Sequence, residues 1–452
     1  MHILKGYTKQ EISWMMYDWA NSAHSVIIVT LLPIFFDTVA GYTADSVSSM
    51  STWGYATSIA MLIVALAAPF LGVFGDIRGM RKKLFSFFML LGVAACAGMA
   101  FTPGMDFTSG PVAAGKVASL ILVLYIVSVI GFDASAIYYD AFLTDVTIED
   151  RMDKVSTMGY GLGYIGGSTI PLLIFLIMNL VGVPMLTCLA FVFGLTAVWW
   201  LAFSLPLLKN CEQTSGKPYE KGDVARSIKG VGTTIKEIIA NKPMLIYILS
   251  YFFYIDGVHT VISMATTYGT NLGLDSTGMM LALLLVQILG LPFCLLYIKC
   301  SEKFGARTMV GFGICVYMFI CIFAFFMNSL WQFWVLAVLC ATSQGGIQAL
   351  SRSMYGKLIP DKDRSGEFFG FFDIFGKFSS IMGPALVGVV SSVVANGMLG
   401  AQGLNAQTAT AEQIDAINAQ SSHYGILSII IIIIVGAVLY FGFLPKAEHA
   451  KQ

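Results

Sequence analysis

The chain has 452 residues, 57% of them hydrophobic and only 12% charged, with no net charge. A soluble globular domain carries about 25% charged residues, so this composition excludes an ordinary water-soluble fold. Without a basic excess nothing suggests a nucleic-acid partner, and none is expected. The lipid bilayer is the expected solvent.

A helix crosses a bilayer with roughly 20 apolar residues. Stretches of that size fall, in chain order, at 14–39, 52–75, 83–102, 117–142, 156–180, 184–206, 243–268, 276–299, 307–327, 330–356, 366–395 and 424–444. That predicts twelve spans. The first is long and carries polar residues in its middle, unlike a cleavable leader, so targeting is expected to rest on that span. Gly182-Val183-Pro184 and Asn328-Ser329 make the tightest connections.

Lys and Arg predict orientation. The junction after the second span holds Arg78, Arg81, Lys82 and Lys83; that after the fourth holds Arg151 and Lys154. The middle loop holds Lys209, Lys217, Lys221, Arg226, Lys229, Lys236 and Lys242. Lys299, Lys303 and Arg307 follow the eighth span, and Lys357, Lys362 and Arg364 the tenth. Both ends are basic (Lys5, Lys9; Lys446, Lys451), and the alternate junctions hold only Lys116. This predicts a multi-pass membrane protein with both termini cytoplasmic.

In the middle loop, Val224, Ile228, Val231, Ile235 and Ile238 recur at helical spacing, which predicts an amphipathic helix on the lipid face. In the stretch 396–423, Thr410-Ala411-Glu412-Gln413 reads as a capping box, which predicts a short surface helix. The eight cysteines read as small buried hydrophobes. No close pair has metal-ligand spacing, so neither a metal nor a cofactor is expected.

The second half echoes the first. His24-Ser25-Val26-Ile27 matches His259-Thr260-Val261-Ile262, and the same shift aligns Asn21 with Asp256. Asp76, Gly79 and Arg81 match Glu302, Gly305 and Arg307. Asp150-Arg151 matches Asp363-Arg364, with Gly163 on Gly376 and Pro171 on Pro384. The expected organisation is a six-helix half over 1–208, a cytoplasmic linker over 209–242 and a second six-helix half over 243–452.

An ionisable side chain deep in a span costs several kcal/mol unless it faces a cavity or a partner. The first span has Tyr17, Asn21 and His24 on one helical face, with Asp18 nearer the cytoplasm. The fourth has Asp133 and then Asp140; the seventh has Asp256 and His259; the tenth has Gln344, Gln348 and Arg352; the eleventh has Asp373 and Lys377. Tyr17, Asn21, His24, Gln344, Gln348, Arg352 and Lys377 are assigned to substrate binding. Asp256, His259, Asp133 and Asp373 are assigned to proton or ion coupling, since buried carboxyls and His exchange protons near neutrality. Asp373 and Lys377 also read as a pair that neutralises itself, and Arg352 and Asp140 as a gating salt bridge.

The stretch from Gly72 to Lys83 after the second span has its own physics. Its glycines allow a tight turn, and Asp76 can meet a helix N-terminus or a basic side chain. Such a contact holds one access state closed, so Asp18, Asp76, Gly79, Arg81 and Asp140 are assigned to gating.

This loop resembles the signature of the major facilitator superfamily: Gly72, Asp76, Gly79 and Arg81 match, whereas Ile77 and Met80 stand where the pattern has Arg. Tyr17-Asp18-Trp19-Ala20-Asn21-Ser22-Ala23 resembles the opening motif of the autophagy-related vacuolar amino-acid effluxer family. Phe253-Tyr254-Ile255-Asp256-Gly257-Val258, Gly345–Ser353, Glu367–Gly370 and Gly376–Ser380 resemble the same family. The resemblance implies the major facilitator fold, an all-α membrane protein of twelve helices in two pseudo-symmetric halves. It implies that the first, fourth, seventh and tenth spans line a central cavity. Fungal members of that family export amino acids from the vacuole; bacterial members, which the short loops here match, sit in the cell membrane.

The expectation is a monomeric secondary transporter of a small polar solute, coupled to a proton or to sodium, working by rocking of its halves. A cation-coupled sugar or organic-anion carrier, with Asp18 and Asp133 as cation ligands, is the alternative within transport. A lipid-handling protein should carry an apolar groove. No nucleophile motif or metal-spaced His cluster suggests an enzyme.

Overall fold

The computed structural model describes residues 4–43, 49–218, 223–403 and 410–444. Lys221, Lys446 and Lys451 lie outside the described residues, as do the side chains of Val224, Arg226, Ile228 and Lys229.

Among the described residues, twelve spans are long and apolar enough to cross a bilayer. They are formed by α1 (Lys9–Ala40), α2 (Ser49–Gly75), α3 (Arg81–Met99), α4 (Pro111–Val146), the joined pair α5 (Glu149–Gly163) and α6 (Ile170–Leu180), and α7 (Met185–Asn210). After the linker helix α8 (Asp223–Ala240) come α9 (Lys242–Asn271), α10 (Ser276–Phe304), α11 (Ala306–Phe325), α12 (Leu330–Leu358), α13 (Ser365–Ala401) and α14 (Ala411–Val438). Each predicted span has its helix.

Local chemistry sets the ends. Thr8 caps α1: its hydroxyl accepts from the Glu11 amide, and the Glu11 carboxylate accepts from the Thr8 amide. Thr410 and Gln413 form the same reciprocal cap at α14. Among the described residues, no separate surface helix precedes the last span, because α14 runs unbroken from Ala411 to Val438. No Gly or Pro interrupts it between Ala411 and Tyr424, so polar turns and apolar span share one helix. In the linker, Val231, Thr234 and Ile238 of α8 are buried while Ile235 and Ile239 are exposed.

Between α5 and α6 the helix widens into a π turn over Tyr164–Thr169. Pro171 brings no N–H to the ladder, and the Thr169 hydroxyl donates to Tyr164 O at 2.7 Å. The α1 backbone lies against this turn. A Cβ on Gly167 would stand 2.6 Å from Trp19 O.

The helices form two compact units, Met1–Thr234 with Gly356–Ile374, and Ile235–Tyr355 with Phe375–Gln452. Gly356–Ile374, the end of α12 and the start of α13, joins the first unit through polar contacts. Lys357 Nζ meets Asp153 at 2.6 Å, and the Gly216 amide donates to Asp363 at 2.8 Å. The repeat read from sequence has a backbone counterpart. Gly79 and Gly305 both take left-handed φ, +81° and +83°, which glycine adopts without steric penalty.

Candidate functional site

The second unit gathers polar side chains from α9, α12 and α13. Asp256 sits on α9, fully buried. Its Oδ1 accepts from the Gly383 amide of α13 at 2.9 Å, and its Oδ2 has no hydrogen-bond partner. Thr260, one turn along, is fully buried with an unpartnered hydroxyl. His259 Nδ1 lies 3.0 Å from Ser380 Oγ and 3.3 Å from Ser379 Oγ. Both hydroxyls donate to Gly376 O, so an Nδ1–H would find two acceptors facing it. Gln348 of α12 hydrogen-bonds the ring and the Lys377 ammonium lies within electrostatic reach of it.

Arg352 is buried near the end of α12. Beside it, Ser351 ties α12 to α9: Tyr247 Oη donates to Ser351 O at 2.8 Å, and Tyr254 Oη lies 2.6 Å from Ser351 Oγ. Gln344 lines a cavity of about 600 Å³ inside this unit. The arrangement can hold a proton at Asp256 or His259 and present a cation, Lys377, with neutral amide and hydroxyl groups on adjoining helices.

The first-span residues are engaged within the first unit. Tyr17 Oη lies 2.8 Å from Ser135 Oγ, and Trp200 Nε1 donates to it at 3.4 Å. The Tyr17 ring packs on Phe85 and Tyr139. His24 Nε2 lies 3.2 Å from Ser128 Oγ, and its ring packs against Phe132 and Trp200. Both side chains therefore bind α1 to α4 and α7. Asn21, Asp18 and Asp133 are buried, and Asp140 is half-buried. Asp373 and Lys377, one turn apart on α13, belong to different units.

The Gly72–Lys83 stretch centres on Arg81, whose side chain is fully buried. Its guanidinium donates to Asp76 Oδ1 at 2.9 Å, Asp145 Oδ2 at 2.5 Å, Ser365 Oγ at 2.9 Å and Ala141 O at 3.2 Å. Asp76 in turn accepts from the amides of Gly366 and Glu367, each at 2.7 Å, at the start of α13. Burial pushes the Asp76 carboxyl up to about 7, against the downward pull of Arg81 and the two amides.

Several partners carry no local signal in the sequence. Asp145 accepts from the amides and hydroxyls of Thr214 and Ser215, about 70 residues away in the chain. Glu11 takes Arg151 in a bidentate pair, both contacts at 2.7 Å. Thr234 at the end of the first unit hydrogen-bonds both Arg364 and Glu367.

The sequence matches the profile of the family described as vacuole effluxer Atg22 like over residues 39–147 and 144–397. The chain belongs to the Atg22-like effluxer family. It is 43% identical over 399 residues to the uncharacterized MFS-type transporter YxiO of Bacillus subtilis (strain 168), covering 86% of this chain and 90% of that protein. It is 25% identical over 274 residues to autophagy-related protein 22-1 of Penicillium rubens, where it spans 46% of the fungal protein. The proton:xylose symporter XylE superposes with a TM-score of 0.69 over 97% of this chain and 95% of its own, at 15% identity. The human organic anion transporter MFSD10 gives 0.64, with 96% and 99% covered, at 12% identity. At such identities the likeness shows the fold alone. This Atg22-like protein is thus an all-α, multi-pass membrane protein of the major facilitator fold, and a transporter rather than an enzyme.

Proposed function

We propose that the protein is a proton-coupled secondary transporter of a small polar solute, in the class of amino acids, with Asp256 as the proton site. The carrying observation is the Asp256 carboxyl, fully buried midway along α9, with one backbone amide on Oδ1 and no hydrogen-bond partner on Oδ2. Charge in that setting costs several kcal/mol, and a proton removes the cost. Lys377 supplies the cation for a substrate carboxylate, and His259 with Gln348, Ser379 and Ser380 supplies neutral hydrogen bonds. The amino-acid class rests on the likeness to the fungal effluxers. The Lys and Arg bias supports a cell-membrane protein with cytoplasmic termini.

The test is proton flux in proteoliposomes with a trapped pH dye, challenged with amino acids, peptides, sugars and organic acids. Asp256→Asn should abolish solute-driven proton movement while labelled-solute exchange persists. Lys377→Ala should abolish both. Sodium-dependent uptake with no proton movement would overturn the assignment to Asp256 and favour the cation-coupled carrier.

A further inference from the structure

The cavity inside the second unit begins beside the proposed proton site, where Thr260 lies one turn from Asp256, and its wall differs from that site in chemistry. Its volume is about 600 Å³, within the range of small-molecule pockets. α9–α14 all contribute to its wall, which includes Thr260, Tyr268, Gln287, Ser391 and Asn418. Among the described residues that line it, none carries a charge. A carboxylate or ammonium entering such a space would lose its hydration with no ion to replace it, so a zwitterion is not its ligand.

The wall is mostly aliphatic, with a minority of amide and hydroxyl groups. Two of these ask for a ligand. Thr260 Oγ1 and Gln287 Oε1 are both buried and have no hydrogen-bond partner. Orphaned buried polar atoms are uncommon and call for an explanation; a ligand hydroxyl or amide N–H would satisfy them. The outer half of α13 supplies the remaining evidence. Ser391, Ala395 and Leu399 face the cavity, while Val389 and Val393 are exposed on its other side, 60% and 66%. One helix thus separates the cavity from the surface on which lipid would lie.

We propose that the second unit binds an uncharged amphiphile, an apolar chain bearing a hydroxyl or primary amide, drawn from the bilayer. Its polar head meets Thr260 and Gln287, and its chain fills the part of the cavity lined by Ala395 and Leu399.

The experiment uses the full chain in nanodiscs and a diazirine-bearing dodecanamide, with the matching dodecanoate as the charged control. Crosslinks mapped by mass spectrometry should fall on cavity residues of α9, α12, α13 and α14. They should saturate and be displaced by plain dodecanamide, not by dodecanoate above neutral pH. Gln287→Leu should weaken the apparent affinity about 5-fold, the loss of one hydrogen bond. Ser391→Trp should abolish labelling by filling the space, and Ala395→Phe serves the same purpose if the first variant does not fold. Labelling confined to Val389 and Val393, labelling unchanged in the filled variants, or equal displacement by dodecanoate would overturn the proposal. The readout is occupancy and not transport, so its failure is separate from any failure of the proton-coupled reading.

Discussion

Asp76 and Gly366 are joined by a 2.7 Å hydrogen bond in which the second residue of α13 donates its amide to the carboxyl of the α2–α3 connection. The Glu367 amide makes the same contact with the other oxygen. The first amides of a helix have no partner within it, and a side-chain acceptor normally comes from the residue just before the helix. Here it comes from about 290 positions earlier in the chain. Buried Arg81 donates to the same oxygen as Gly366, at 2.9 Å.

Removing the acceptor should therefore be expensive. Asp76→Ala leaves two helix-end amides and part of a buried guanidinium unpaired, and breaking a buried ion pair from one side costs about 3–5 kcal/mol. The expected result is a lower Tm in detergent and faster amide exchange across Ser365–Phe369. Asp76→Asn keeps one acceptor oxygen and should lose less. Unchanged exchange in the Ala variant would deny this contact any weight in holding α13.

The same carboxyl gives a pH dependence whose sign follows from its shift. Burial raises Asp76 from 3.8 to about 7 in the docked loop. A released, solvated loop would return it to its ordinary value, so the docked state binds more protons. Docking is then favoured fully below the released value and loses that advantage as pH rises through about 7. Exchange protection of Ser365–Phe369, corrected for intrinsic rates, should fall as pH rises from about 4 to about 7 and level off above that. Protection that rises over that window would mean Arg81 and the two amides outweigh burial.

Gly72 and Gly366 let the backbones of α2 and α13 touch. A Cβ on Gly366 would stand 2.6 Å from Gly72 O, and one on Gly370 2.5 Å from Ala68 O. Backbone cannot step aside as a flexible side chain can. Gly366→Ala should lose about 1–3 kcal/mol by overpacking, more than the roughly 1 kcal/mol that Ala gains over Gly within a helix. Gly115 of α4 has nothing within 4 Å of its would-be Cβ, so Gly115→Ala should be neutral or slightly stabilising. Thermal unfolding of the two variants side by side checks the contrast.

What the sequence reveals divides by range. The spans are legible because apolar length is a local property, and the Thr410 cap because its partner is three residues on. Asp76 stands out as a carboxyl among glycines, and its capacity to meet a helix end is a local expectation. Asp145 does not stand out, because its partners Thr214 and Ser215 reach it only through tertiary packing. The polar face of α1 shows the same limit. Helical spacing places Tyr17 and His24 on one side, but it cannot say what that side meets. His24 meets Ser128, Phe132 and Trp200. Its repeat partner His259 meets Ser379 and Ser380. One motif, copied, serves two environments.

Gly383 is the position where backbone and proton chemistry meet. Its amide is the hydrogen-bond donor to Asp256 Oδ1. A Cβ there would lie 2.7 Å from that oxygen and overlap the Thr260 hydroxyl. Gly383→Ala should push α13 away from α9, lengthen the amide–carboxyl contact and change the proton affinity of Asp256 without touching its side chain. The expected phenotype is reduced proton flux per solute in proteoliposomes, with the protein still folded. In thermal unfolding, combining it with Asp256→Asn should add little to the loss of Tm, because both changes act on one interaction and neighbouring sites are not additive. A double variant whose losses simply sum would mean that Gly383 acts through packing alone, independently of the carboxyl.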